Sequence, residues 1–174
     1  MSPELATDSG GFEDWVLATA PRMRRLAFLL TGDLDTSADL LQSAYAKVFP
    51  RWDRVSGMAS PEAYLYRVMV NLRTSWWRRH RNREYAVSEV PESAWGARTT
   101  TDTDVVVESQ SLLAALKQMP EKQRATVVLR YYCDLSETET AEAMQCSLGT
   151  VKSNASRGLK QLRTVLAATD ETEK

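Results

Sequence analysis

The sequence predicts an all-α fold: two small helical domains joined by a flexible linker, the C-terminal one containing a helix-turn-helix. Three observations carry this. Apolar residues recur at helical spacing in segment after segment, without the strict alternation of a half-buried strand. The stretch 84–104 has no sustained periodicity and separates the helical patterns into two groups. Near the C-terminus, two helical patterns are joined by about three residues, the spacing of a helix-turn-helix.

The elements follow in order. "FEDWVLATAPRMRRLAFLLTG" carries Phe12, Val16, Met23, Ala27 and Leu30 on one helical face, with an expected interruption at Pro21 and a stop at Gly32. "DTSADLLQSAYAKVFPRW" follows, with Leu41, Ala44, Tyr45, Val48 and Trp52 as its apolar face. Thr36, three residues before Asp39, is its capping candidate. A loop holding Gly57 leads to "SPEAYLYRVMVNLRTSWWRRHRNR". There Ser60 can cap and Pro61 suits the first helical position, since its missing N–H would be an orphan anyway. Tyr64, Leu65, Val68 and Leu72 are its buried stripe. After the acidic linker, Leu112, Leu113, Leu116 and Met119 share a face that ends at Pro120. A helix over about 121–132 precedes the last pair. Ser136 and Glu139 form a capping box for the first of that pair, and Ser147 caps the second. The expected domains are 12–83 and 105–168.

With 22 basic and 23 acidic residues the net charge is −1, but the charge is segregated. Between Glu62 and Glu84 there is no acid, while Arg67, Arg73, Arg78, Arg79, Arg81 and Arg83 all fall there. In "SETETAEAMQCSLGTVKSNASRGLKQLR" three glutamates precede the turn, and no acid and four bases follow it. Val151, Ala155, Leu159, Leu162 and Leu166 fall on one side of that last helix. Gly149, Lys152, Ser153, Ser156, Arg157, Lys160 and Arg163 fall on the other side or its edges. A helix that approaches phosphates must exclude carboxylates from its outer face. Small residues let its backbone come close, and long bases reach phosphate or a guanine edge. Gly149, Lys152, Ser153, Arg157 and Lys160 are therefore candidate DNA contacts.

In the arginine-rich helix, Trp76 and Trp77 are adjacent. Neighbours on a helix point about 100° apart, so both cannot sit deep in one narrow stripe. Aromatics among bases suit stacking on unpaired bases, which makes Arg73, Trp76, Trp77, Arg78, Arg79 and Arg81 candidates for holding a single strand. No catalytic residue, metal site or cofactor is expected. The chain has two cysteines and one histidine without zinc spacing, and no Gly-rich phosphate loop. Nothing resembles a signal peptide, and no apolar run reaches the roughly 18 residues of a membrane span. A cytoplasmic protein is expected.

"DLLQSAYAKVFPRW", "SPEAYLYRVMVNLRTSWWRR", "MPEKQRATVVLRYYCDLSETETAEAM" and "CSLGTVKSNASRGLKQLR" occur in that order. Together they resemble an extracytoplasmic-function (ECF) sigma factor of bacterial RNA polymerase. The tryptophan and arginine cluster is most similar to the SigE-type actinobacterial subgroup. The resemblance runs from about Phe12 to Leu166. It implies that the N-terminal domain docks on the polymerase clamp through Asp39, Leu40 and Gln42. It implies that the arginine-rich helix and the loop before it engage and open the minus-ten element. The C-terminal helix would enter the major groove at the minus-thirty-five element. Core RNA polymerase and promoter DNA are the implied partners, with room for an anti-sigma factor and none for a membrane. Two positions depart from the pattern: Gln145 where the family often has glycine, and Asn154 where it often has arginine. The alternative is a stand-alone helix-turn-helix regulator, which would need a sensory or dimerising domain that the sequence does not suggest.

Overall fold

The computed structural model describes residues 9–84 and 110–172, with side chains for 11–76 and 111–168. Among the described residues every regular element is helical. The first bundle comprises α1 (Ser9–Thr31), α2 (Leu34–Val48), a 3-10 turn (Phe49–Arg51), α3 (Trp52–Ser56) and α4 (Pro61–Glu84). The second comprises α5 (Gln110–Lys117), α6 (Glu121–Val127) running into a π-turn (Val128–Tyr132), α7 (Glu137–Met144) and α8 (Leu148–Thr172). Most of the expected linker lies outside the described residues.

The expected break at Pro21 does not occur; α1 is continuous through it. A proline deprives the carbonyl four residues back of its donor. That carbonyl belongs to Leu17, a residue 74% exposed, where water can serve it. Burial of Met23, Leu26, Ala27 and Leu30 in the following turns then holds the helix together. Gly32 stops α1 as expected, at φ 75°, with its N–H donating to the Phe28 carbonyl at 2.7 Å.

The cap of α2 is Asp33 rather than Thr36. Gly32 turns the chain so that Asp33 is extended immediately before Leu34. Its Oδ2 accepts from the Thr36 N–H at 2.7 Å and the Thr36 hydroxyl at 2.6 Å. These two bonds, the hydroxyl's first, hold the Asp33 carboxyl below the usual aspartate range. Ser60 caps α4 as the sequence indicates, its Oγ accepting from the Ala63 N–H at 3.1 Å.

Met23, Leu26, Leu30, Leu40, Leu65 and Met69 are fully or almost fully buried in the first bundle. Leu116, Val128 and Leu129 are buried in the second, and all belong to one continuous apolar cluster. Phe12, Trp15 and Trp52 close the outer end of the first bundle. The Trp15 and Trp52 rings lie 4.9 Å apart, and the Trp15 indole N–H donates to Glu62 Oε1 at 3.4 Å. This aromatic end ties α1 to α3 and the start of α4, and so sets the direction in which α4 leaves the bundle.

Candidate nucleic-acid and polymerase surfaces

The helix-turn-helix is built by its caps. The Ser136 hydroxyl accepts from the Glu139 N–H at 3.1 Å, and Glu139 Oε2 accepts from the Ser136 N–H at 2.7 Å. This reciprocal pair starts α7 and lowers the Glu139 pKa. α7 ends where Gln145 takes the left-handed conformation, φ 52° and ψ 48°. The Cys146 N–H then reaches back to the Ala141 carbonyl at 3.0 Å. Ser147 Oγ accepts from the Thr150 N–H at 3.1 Å and opens α8. Only Gln145, Cys146 and Ser147 separate the two helices.

On α8, Gly149, Lys152, Arg157 and Lys160 are exposed, and Ser153 is half-buried with its hydroxyl donating to the Thr150 carbonyl. The inward stripe is rotated from the expected one. Val151, Asn154 and Gly158 are the buried positions, whereas Ala155 and Leu159 are half-buried at its edge. Gly158 explains the rotation: a Cβ there would stand 2.6 Å from Val127 Cγ2, so only glycine lets α8 lie this close to α6. Asn154, where the family often has arginine, therefore faces α6 and not the groove. Its Nδ2 is buried without a hydrogen-bond partner. Lys152 Nζ lies 3.7 Å from Glu137 Oε2, an exposed pair of small worth.

Along α4, Arg73 is not presented to solvent alone. Its Nε lies 3.3 Å from Glu121 Oε1 at the start of α6. Trp76 is half-buried against the apolar cluster, which narrows the scope of the sequence reading of it as a stacking surface. Trp77, Arg78, Arg79 and Arg81 lie on the last turns of α4, and their side chains are outside the described residues.

Of the three residues assigned to polymerase docking, Asp39 and Gln42 are exposed on α2. Leu40 is fully buried, which corrects its assignment as a contact: it lies on the inner face of α2 with Ser37, Leu41 and Ala44. Its part is to hold α2 in place so that its neighbours face outward. Beside them a mostly apolar groove of about 500 Å³ runs between α1 and α2, lined by Val16, Arg24, Phe28, Leu34 and Gln42 among others.

Sequence reasoning missed Arg130 and Tyr131. They border the same depression as Lys152, Ser156 and Arg163. The Arg130 guanidinium donates to the Leu135 carbonyl and lies 5.7 Å from the centre of the exposed Tyr131 ring. An arginine followed by two aromatics at the end of an apolar helix was the available signal. Among the described residues no three His, Cys, Asp or Glu side chains group as a metal site, and no helix is long and apolar enough to cross a membrane.

Two helical domains, an α8 with no acid from Leu148 to Ala168 and exposed bases along it, and an outward-facing α2 define a sigma-type polymerase subunit. Residues 15–83 match the model of sigma-70 region 2, and residues 109–162 match that of sigma-70 region 4. The RNA polymerase sigma-E factor of Streptomyces coelicolor is 38% identical over 159 residues, covering 91% of this chain and 88% of that protein. The ECF sigma factor EcfG of Rhodopseudomonas palustris is 27% identical over 161 residues, covering 92% and 86%. In fold, the chain matches the sigma factor RpoE of Bartonella quintana, solved with the anti-sigma factor NepR. That match has a TM-score of 0.68 at 22% identity and covers 90% of this chain and 97% of that one. The chain belongs to the sigma-70 family of RNA polymerase sigma factors, in its extracytoplasmic-function branch.

Proposed function

We infer that the chain acts in the cytoplasm as a promoter-specificity subunit, without catalytic residues or cofactor of its own. Residues 12–83 dock on core polymerase and engage the minus-ten element, and residues 105–168 read the minus-thirty-five duplex. Asp39 and Gln42, with the apolar groove beside them, offer the clamp a charged and an apolar contact. Gly149, Lys152, Ser153, Arg157 and Lys160 meet the major groove. Arg73, Trp77, Arg78, Arg79 and Arg81 hold the opened strand, with Trp76 bracing them from a half-buried position. An anti-sigma factor is a further partner by analogy with the Bartonella protein.

The observation that carries this reading is the outer face of α8 from Gly149 to Arg163: exposed bases and a glycine, no carboxylate, behind a capped three-residue turn. The test is transcription in vitro with purified core polymerase on a genomic fragment library, with permanganate footprinting of opened thymines. Promoter-specific transcripts and opening that need both proteins are expected. Sequence-specific binding by the free chain with no transcripts would identify a stand-alone regulator instead.

A further inference from the structure

A cleft of about 580 Å³ lies where α4 meets α6 and α8. That volume is in the range of small-molecule sites. Arg73 of α4, Lys122 and Arg124 of α6 and Asn154 of α8 bring donors to it, and Met119 and Pro120 give it an apolar border. Among the described residues that line it, Glu121 is the one acid. The cleft is off the reading face proposed for α8: Asn154 is buried towards α6, whereas Lys152, Arg157 and Lys160 are exposed on the other side of the helix.

Its donors lack acceptors. Arg124 and Asn154 are 7% and 8% exposed, and the Arg124 Nε and Asn154 Nδ2 are buried without a hydrogen-bond partner. The Arg73 Nε is a third such donor. It lies 3.3 Å from Glu121 Oε1 without making a hydrogen bond, and both Glu121 oxygens are unbonded as well. A buried donor with no acceptor has lost the bonds it had in water, and native chains hold few of them. Burial, and then the charge of Arg73, push the Arg124 guanidinium down. Burial pushes the Glu121 carboxyl up, towards the neutral form that donates to an anion instead of repelling it. Three cations thus face one carboxylate whose ionised form is itself disfavoured.

A phosphate monoester answers this deficit. It carries about −1.5 to −2 charges at neutral pH and three acceptor oxygens, where a flat carboxylate has two. Guanidiniums bind it through paired N–H bonds, and a lysine adds a mobile point charge. Asn154 supplies a neutral donor that fixes orientation. Met119, 4% exposed, and Pro120 form the apolar border against which the organic part of an ester would lie. A duplex lying on the outer face of α8 cannot also reach Asn154 on the inner one. The occupant these groups fit is therefore a small molecule and not the backbone of DNA.

We propose that the cleft between α4, α6 and α8 is a binding site for a small phosphate monoester, such as a nucleoside monophosphate, held by Arg73, Lys122, Arg124 and Asn154. The site does not depend on the promoter-reading role, although Arg73 would serve both. Isothermal titration of the full chain in a phosphate-free buffer, with AMP and with inorganic phosphate as probes, tests it. Saturable one-to-one binding is expected for both, tighter for AMP. Asn154→Leu keeps the side-chain volume and removes the donor. It should weaken AMP at least about tenfold, the size of one hydrogen bond to a charged group. Its Tm should be no lower than that of the native chain, since an orphaned donor is gone. Lys122→Ala, at an exposed position, should weaken AMP several-fold and reduce the salt dependence of binding. The pair Lys152→Ala with Arg157→Ala, on the outer face of α8, should bind AMP as the native chain does. No saturable binding of either probe at millimolar concentration would overturn the site. So would binding that survives Asn154→Leu and Lys122→Ala but is lost with Lys152→Ala and Arg157→Ala, which would put the anion on the outer face. Displacement of AMP by a short DNA duplex would make the cleft a contact for nucleic-acid backbone and overturn the small ligand. AMP binding no tighter than phosphate would overturn the part given to Met119 and Pro120.

Discussion

Gln145 bears a local strain that can be measured. A side chain in the left-handed region costs roughly 1–2 kcal/mol, which glycine avoids. Glycine gives back part of that gain by being more disordered when unfolded. Gln145→Gly should therefore stabilise the protein by about 0.5–1 kcal/mol net, read as a higher urea midpoint at unchanged slope. A lower midpoint would mean that the glutamine side chain holds the turn. Cys133 makes a second residue-scale case. Burial pushes its thiol up to about 12. Since the thiolate is the reacting form, iodoacetamide at pH 8 should modify the more exposed Cys146 first and reach Cys133 only on unfolding. Early labelling of Cys133 under native conditions, followed by mass spectrometry, would contradict the buried placement. What the sequence revealed at this scale was the local chemistry. Ser60, Ser136 and Ser147 could be read as caps because each serves a backbone N–H three residues away. Leu40 and Asn154 could not be placed, because their burial depends on which helix lies opposite.

At the scale of elements, the periodicity was legible in nearly every helix, and apart from the cap of α2, which Asp33 and not Thr36 supplies, the misjudged features are tertiary. Nothing local distinguishes a proline that breaks α1 from one whose orphaned carbonyl faces water. Likewise, the faces of α8 were drawn from its own hydrophobicity, whereas Gly158 seats it on α6 by a contact with Val127. Gly158→Ala tests that seat. The added methyl would meet a buried β-branched side chain at 2.6 Å. Overpacking of this kind costs about 1–3 kcal/mol and outweighs the helix-propensity gain of roughly 1 kcal/mol. A net loss of stability is expected from thermal unfolding; a gain would show that α8 can shift freely. The outer face gives a separate prediction. If Arg157 contacts a base edge, Arg157→Ala should cost about 1–3 kcal/mol and relax preference at one position. If it contacts phosphate alone, binding should weaken evenly across sequences and the salt slope should fall by about one. Titrations of a minus-thirty-five duplex and its variants at several salt concentrations separate the two, and no effect at all would remove Arg157 from the interface.

For the whole molecule, the decisive property is the distance between the two surfaces proposed to read DNA. Each domain alone offers a handful of bases, and engaging a second site through a long link adds little when the effective concentration there is low. The packed arrangement of the domains compounds this, since it cannot cover two elements about 25 base pairs, or about 85 Å, apart. Core polymerase supplies the missing geometry by holding both domains at a fixed separation. Docking must then come before promoter recognition, and α2 is the surface proposed to dock. Asp39 is exposed there and lies within the helix, three residues past Thr36 and well clear of the Asp33 cap. Asp39→Arg should thus leave the fold and the helical signal intact, yet remove polymerase binding and promoter-specific transcription together. In a promoter gel shift at physiological salt, the free protein should give weak, salt-sensitive binding, and added polymerase should convert it to a specific complex. The variant should not respond to polymerase. Tight specific binding by the free protein, unchanged in Asp39→Arg, would show that the two domains find their sites unaided and that α2 is not the route by which this chain reaches a promoter.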